Sequence, residues 1–425
     1  MVDVVVIGAG HNGLIASIRL AKAGLDVAVF DKALHPGGLA GYHMLGGVEV
    51  GVGAYVVGIM PKEVLSRIGV SLDIKVPDPI AVYELDGQYV RWWRDPTRRV
   101  EEFRQWGLGD EISAFWDRLV SLNRAMRKYF FGEPPTERQL LEDPEAADLV
   151  RRSARDILAQ YLPREFWPMF LYEHLWDEPA YLLAYFNPPE GWGRPVWRGE
   201  EGIQALSKAL YEAALASGVK AVLGVGVKRI IVEGGAVKGV ELDYGKIVEA
   251  KAVISTASPI HTLLDLVGEV DKSVRLRLEE ASTAAGPYRL NVVLSEAARS
   301  RRGLAPYRDS IFQLPMGEMV VEGNKVSVVG QPEIETLETY IENLGKAKAF
   351  EFWTPEDYQR AFNARGAYVN HLPLTRDFLF CRPVCGWGYR TPIRGLYLGG
   401  AGTWPGGQIT GVPGLNAAET VLRDL

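Results

Sequence analysis

The residues best placed to do chemistry come at the very start of the chain. Gly8-Ala9-Gly10-His11-Asn12-Gly13 follows the β-branched run Val2 to Ile7, and the acid Asp31 closes a second apolar run, Val27 to Phe30. A G-x-G-x-x-G triplet between a strand and a helix is a seat for a dinucleotide pyrophosphate. Gly8 permits the tight turn, Gly10 leaves the backbone bare towards the phosphates, and Gly13 lets helix and strand pack closely. The helix opening at this loop offers unpaired N–H groups and a partial positive charge to an anion. Asp31 can accept hydrogen bonds from the adenosine ribose, and an acid there disfavours a 2′-phosphate, so NADP is not expected.

NAD and FAD are separated by two further stretches. His35-Pro36-Gly37-Gly38 supplies a second glycine pair, which lets backbone run beside a pyrophosphate and a ribityl chain; a simple NAD dehydrogenase has no need of it. Near the other end, Gly395-Leu-Tyr-Leu-Gly-Gly-Ala-Gly-Thr-Trp-Pro-Gly-Gly-Gln-Ile-Thr-Gly-Val-Pro-Gly-Leu-Asn-Ala-Ala418 reads as a buried strand, a loop nearly free of side chains, and a helix from about Val412. A flavin lying against that helix end would have the charge of its reduced N1/O2 edge stabilised. The expected cofactor is FAD.

The elements that must position these residues are partly legible. Leu14, Ile18 and Ala21 mark one helical face, and Gly24 suits a helix C-terminus, so residues 2–31 form a βαβ unit. From about Pro77 to Pro195 the chain turns rich in aromatics, proline and charge, with a helical patch at Ile112, Phe115, Leu119 and Leu122. From Gly199 the alternation of apolar helix and short strand resumes. A helix on Ile203, Leu206, Leu210 and Ala213 is ended by Gly218, and short strands follow near 219–225, 228–233, 237–244 and 252–256, with a hairpin at Gly234-Gly235. Residues 266–380 are mixed and give no clear periodicity. The chain therefore alternates between two domains: 1–76, 196–265 and 384–425 for the cofactor, 77–195 and 266–383 for a substrate.

Val4-Val-Val-Ile-Gly-Ala-Gly-His-Asn-Gly13, the lead-in Tyr389-Arg-Thr-Pro-Ile-Arg-Gly395 and the tail section together resemble the phytoene-desaturase-like FAD-dependent oxidoreductases. The similarity is strongest to the branch called pyridine nucleotide-disulphide oxidoreductase domain-containing protein 2. Gly199-Glu-Glu-Gly-Ile-Gln-Ala-Leu-Ser-Lys-Ala209 is similar to the family's helix before its adenine-binding strands. The resemblance implies an α/β fold: a Rossmann-type FAD-binding domain of the glutathione-reductase and amine-oxidase superfamily, with an interleaved α+β substrate domain. It implies cofactor contacts at Gly8, Ala9, Gly10, His11, Asn12, Gly13, Asp31, Lys32, Gly37, Gly38, Leu39, Val227, Gly402, Thr403, Gly411 and Val412. The substrate domain is matched only through His371, Asp377 and Arg382-Pro383. The chain is shorter there than is usual in the family, and Trp404 stands where the family commonly has histidine.

The implied reaction is hydride transfer between a substrate C–H bond and flavin N5, a dehydrogenation or desaturation of an apolar, isoprenoid-like molecule. Alternatives on the same fold are an amine or porphyrinogen oxidase, a redox-neutral polyene isomerase, and a prenyl-binding escort protein without catalysis. No triad or carboxylate pair is evident. His371 is the best side-chain candidate for a catalytic role, and Trp404, with Trp387 and Tyr389, could wall the flavin for a flat or apolar substrate. Gly224-Val-Gly226-Val-Lys-Arg lacks a third glycine, so no second nucleotide site is expected; the electron acceptor (oxygen, quinone or carrier) stays open.

The 425 residues, 47% hydrophobic with a net charge of −6, allow two or three cores and make nucleic acid an unexpected partner. The aromatic segment from Tyr161 to Phe186 is either the core of the substrate domain or a tunnel mouth resting on a membrane. No metal-ligand cluster stands out. Cys381 and Cys385, spaced C-x-x-x-C, fit neither a C-x-x-C redox pair nor a zinc site. They read as passive thiols of a reduced, cytoplasmic protein, and the strand beginning at Val2 leaves no room for a signal peptide. The oligomeric state is not legible.

Overall fold

Val4, Val5 and Val6 have no accessible surface, as an unbroken β-branched run demands of a strand covered on both faces. The computed structural model describes residues 1–282, 286–301, 303–364 and 369–425. In chain order, β1 (Val2–Ile7), α1 (His11–Lys22) and β2 (Val27–Asp31) form a parallel βαβ unit in which Val4 faces Val27 and Ile7 faces Phe30. The hairpin β3 (Tyr42–Leu45) and β4 (Val48–Gly51) follows, then a second hairpin, β5 (Ala81–Leu85) and β6 (Gln88–Trp92). Among the helices after it are α2 (Gly109–Arg127) and α3 (Ala180–Phe186). Next come α4 (Ile203–Ala216), β7 (Lys220–Leu223), β8 (Val227–Glu233), β9 (Ala236–Leu242) and β10 (Ile247–Ser255). Five strands, β11 (Tyr288–Leu294), β12 (Ile311–Leu314), β13 (Gly317–Glu322), β14 (Lys325–Gly330) and β15 (Ala347–Trp353), precede the closing β16 (Leu396–Leu398) and α5 (Val412–Asp424).

The first sheet runs β7-β2-β1-β10-β9-β8, with β16 also on β10. β10 begins at Ile247, ahead of the apolar run that marks it in the sequence, because its first residues pair with β9 and its last with β1 and β16. The parallel part is therefore assembled from residues near 2, 27, 220, 250 and 396, which makes the sheet α/β and Rossmann-type. The second sheet runs β15-β11-β14-β13-β12-β5-β6, antiparallel except for the pair β5/β12. Residues 266–380 show no clear periodicity because β13 is covered on both faces while β15 leaves the apolar Phe350 and Phe352 exposed. Met319 and Val321 of β13 pack into one core while Val320 packs into another.

In the aromatic segment, Phe166, Trp167, Phe170, Trp176, Tyr181 and Tyr185 are core residues, packed with α2. Among the described residues no helix is long and apolar enough to cross a membrane. One expectation is corrected: Cys381 and Cys385 are joined in a disulfide, not reduced and passive. A tight turn brings their Cα atoms to 4.2 Å, and the spacing alone carries no signal for it. The thiols therefore give no support to a reduced compartment.

α1 and α5 cross so closely that a Cβ on Gly414 would lie 2.0 Å from the Asn12 carbonyl oxygen. Gly13 has the matching constraint, 1.9 Å from the Gly8 oxygen. Both clashes are with backbone, which cannot rotate away. Gly414→Ala should therefore cost about 1–3 kcal/mol. Thermal unfolding of the purified variant beside wild type measures it, and an unchanged melting temperature would refute this account of the crossing.

Candidate functional site

Gly8 takes φ +100° where β1 turns out of the sheet, and Thr256, just past β10, braces the turn. The Thr256 hydroxyl donates to the Ile7 carbonyl at 2.9 Å and lies 3.3 Å from that of Gly8. Gly10 is the N-cap of α1, and a glycine has no side chain with which to cap it. The first turn of α1 carries no acid. The second glycine pair closes on this loop: the Gly37 N–H donates to the Ala9 carbonyl at 2.8 Å, and Gly10 and Gly37 form an isolated bridge. Ser207, on α4, fixes the far side by donating to the Ala40 carbonyl at 2.6 Å. Leu39 accepts the Ala54 N–H at 2.8 Å, which joins this strip to the next loop.

Asp31 ends β2 beside the loop. Its two oxygens accept the Ala9 N–H at 2.7 Å and the Ala33 N–H at 2.8 Å. Burial pushes its carboxyl above the usual value, opposed by those two donors. Residues 224–227 lie beside Asp31: the Val225 N–H donates to the Asp31 carbonyl at 2.9 Å, and Val227 begins β8. Lys32 turns away instead, with Nζ on the Arg360 carbonyl and the Asn363 side chain.

The tail loop meets this cradle from the other side. Gly411, at φ +69°, is the N-cap of α5, again without a side chain to cap it and without an acid in the first turn. The Val412 N–H reaches the Thr410 hydroxyl at 3.3 Å, and the Gly414 N–H reaches the Asn12 side-chain oxygen at 3.3 Å. Two helix N-termini thus converge, each with the positive end of its dipole uncompensated by a carboxylate. Thr403 closes its own turn by donating to the Gly400 carbonyl at 2.8 Å. A Cβ on Gly402 would lie 2.3 Å from Pro259 and 3.3 Å from the Cβ of His371. Three buried phenols hold the loop's carbonyls: Tyr389 that of Trp404, Tyr181 that of Pro405 and Tyr185 that of Gly407, at 3.0, 2.9 and 2.6 Å.

His371 lies beside this loop in the left-handed region, at φ +63°. The conformation is strained for a non-glycine residue, by about 1–3 kcal/mol. The buried Arg382 guanidinium holds it, donating to the carbonyls of Asn370 at 2.8 Å, Leu372 at 3.3 Å, Pro373 at 2.8 Å and Ala401 at 3.2 Å. His371 Nδ1 and His11 Nε2 are buried and have no hydrogen-bond partner among the described residues. Burial, helped by Arg382 and His11, lowers the His371 pKa to about 3. Burial alone lowers that of His11 to about 4. Both imidazoles are neutral at physiological pH. Trp404, the other catalytic candidate, is 2% exposed. Its Nε1–H donates to the Tyr129 carbonyl at 2.8 Å, and its ring packs on Tyr181 and Phe380. That is the environment of a packing residue. Trp387 lies in a separate apolar cluster with Leu278 and Phe378. Thr256 carries no signal in the sequence, and Ser207 and Arg382 lie in stretches that resemble the family without their roles being legible, because each acts through backbone carbonyls that only the fold brings near.

The residues present fit FAD. The bare glycine loop and uncapped α1 suit a pyrophosphate, Asp31 a ribose, and the acid-free positive end of α5, whose first N–H groups rest on the Thr410 and Asn12 side chains, the flavin edge that gains charge on reduction. Fold and site define a dinucleotide-binding flavoprotein oxidoreductase. The chain belongs to the FAD dependent oxidoreductase (DAO) family, which it matches over residues 3–398. It is 24% identical to the Mus musculus pyridine nucleotide-disulfide oxidoreductase domain-containing protein 2, across 100% of this chain and 94% of that protein. It is 25% identical to the zeta-carotene-forming phytoene desaturase of Myxococcus xanthus, across 96% of this chain and 91% of that one. Among solved structures, cyclohexylamine oxidase from Brevibacterium oxydans shares the fold with a TM-score of 0.58 at 16% identity, over 100% of this chain and 99% of that one.

The histidines make the stability depend on pH. A buried histidine whose folded pKa lies below its unfolded value of about 6.5 stabilises the fold above that value, and the contribution is lost as pH falls towards the folded pKa. Asparagine tolerates the left-handed region, so His371→Asn removes the titration without adding strain. Between about pH 6 and 4, the stability difference between wild type and this variant should change by about 1.4 kcal/mol per pH unit, wild type losing more in acid. Denaturant unfolding across that range measures it, and parallel curves would contradict the burial of His371.

Proposed function

We infer that this FAD-dependent oxidoreductase is a dehydrogenase or desaturase, moving a hydride between a C–H bond of an apolar, isoprenoid-like molecule and the flavin. FAD supplies the two-electron chemistry when bound, with N5 as the hydride position. The observation that carries this reading is that the two histidines beside the tail loop are neutral and the Arg382 guanidinium there is occupied by backbone carbonyls. His11 and His371 are uncharged, and the layer over the loop is the aromatic set Trp404, Tyr181 and Phe380.

A histidine with a pKa of about 3 is a poor general base at neutral pH, since efficient bases sit near the working pH. His371 therefore orients substrate through its free Nδ1 and does not drive a deprotonation. The buried rings exclude water from the site, which suits hydride transfer. The 25% identity to a phytoene desaturase supports a polyene-like substrate class. The electron acceptor is proposed only as oxygen, a quinone or a carrier.

Anaerobic mixing of the holoenzyme with acyclic isoprenoids should bleach the flavin bands, whereas simple aliphatic and benzylic amines without an isoprenoid body should not. His371→Asn should slow the bleaching by about tenfold or less, as befits lost orientation and not a lost base. Bleaching by those amines alone would replace this reading with an amine oxidase, and isomer conversion without net bleaching would replace it with an isomerase.

A further inference from the structure

Strand pairing places one row of side chains across the inner face of the second sheet. Tyr83 on β5 faces Gln313 on β12, Gln313 faces Glu318 on β13, and Glu318 faces Val329 on β14. Glu318 shares its face with Val320, which packs in the core that also holds the helical layer and the rings around the tail loop. The carboxyl's only hydrogen-bond partner among the described residues is the Tyr172 hydroxyl, at 2.6 Å, and no cation pairs with it.

Tyr172 is 48% accessible, yet it is hemmed in by His174, Phe186 and Glu318. Burial pushes its phenol up to about 12 and the Glu318 carboxyl up to about 7, and raises Tyr83 as well. The accessible face of Tyr172 and the Glu318 carboxyl lie where the helical layer meets the second sheet. Two ring contacts lead from there to the tail loop: Tyr172 meets Phe186 at 6.0 Å, Phe186 meets Tyr185 at 6.0 Å, and the Tyr185 hydroxyl holds the Gly407 carbonyl.

We propose that a substrate chamber lies at this junction and that Glu318 and Tyr172 are its polar anchor, taking a hydrogen-bond-donating head group, a hydroxyl or a protonated amine, on an otherwise apolar substrate. A buried acid without a cation is costly unless something in the chamber satisfies it. Apart from Gln313 and His174, the residues named around it are apolar or aromatic, so one head group held by the carboxylate fixes which carbon of a long molecule reaches the tail loop. This deepens the dehydrogenase reading and rests on it for the identity of the chamber.

The test is an anaerobic titration of the holoenzyme, following the perturbation of the flavin bands to obtain Kd for geraniol, geranylamine and the hydrocarbon myrcene. Wild type should bind the two donors at least about tenfold more tightly than myrcene. Glu318→Ala should abolish that preference and leave myrcene within about twofold, and Tyr172→Phe should lower it partly. Glu318→Gln, isosteric and the control should the alanine variant not fold, distinguishes the heads: retained geraniol affinity with lost geranylamine affinity marks an amine, and comparable retention of both marks a hydroxyl. Equal Kd values for all three compounds in wild type, or a preference unchanged in Glu318→Ala, would overturn the anchor. Flavin reduction is scored separately in the same cuvettes. Head-group discrimination without reduction by any compound sinks dehydrogenation and leaves the anchor, while reduction without discrimination does the reverse.

Discussion

The constraint on which this molecule depends is electrostatic: two helices, 402 residues apart at the Asn12–Gly414 contact, point their positive ends at one place. Each N-terminus carries the equivalent of about half a positive charge, and here neither is offset by an acid in its first turn; only the neutral Thr410 and Asn12 side chains meet that of α5. An arrangement of this kind is unfavourable by itself and favourable around a dinucleotide. The glycines that allow it belong to the backbone approach. Gly13 brings α1 against the β1 turn and Gly414 brings α5 against α1, so the two N-termini can share one ligand. Because FAD binds the folded chain and not the unfolded one, its affinity adds directly to the stability of the whole interleaved domain.

That geometry explains why the order of segments in the chain is so unlike their order in space. β1, β2, β7, β10 and β16 must lie side by side for the loops at their ends to meet, and everything between them is inserted elsewhere. The insertions are not passive. Arg382 binds the Ala401 carbonyl of the tail loop while gripping the backbone on both sides of His371. One buried guanidinium thus offsets a strained histidine and ties the second insertion to the flavin end of the site.

How much of this was legible follows from the range of each interaction. The βαβ unit, the glycine loop, Asp31 and the tail helix were readable because local spacing determines them: strand, turn and helix N-terminus are contiguous. The hairpin at Gly234-Gly235 was readable for the same reason. The second sheet was not, since a strand covered on both faces loses its alternation, as Met319, Val320 and Val321 show, and the edge strand β15 carries exposed apolar residues, Phe350 and Phe352. Thr256 was missed, and the roles of Ser207 and Arg382 were not readable, because they work on carbonyls brought near only by the fold. The Cys381–Cys385 bridge was misread because a turn, and not a motif, brings the two sulfurs together.

The distribution of charge around the site has its own logic. A flavin accepting a hydride gains negative charge, which the end of α5 stabilises and a neighbouring carboxylate would oppose. Consistent with that, the ionisable groups beside the tail loop are two neutral histidines and a guanidinium spent on carbonyls. The acid Glu318 stands three aromatic rings, Tyr172, Phe186 and Tyr185, from the tail loop, where its charge can interact with one end of a substrate. Placing an acid next to His371 instead would raise the histidine's pKa and make it a base. It would also set a negative charge against the reduced cofactor. Separating the acid from the redox centre allows one chamber to recognise a polar head and still keep its reacting end apolar.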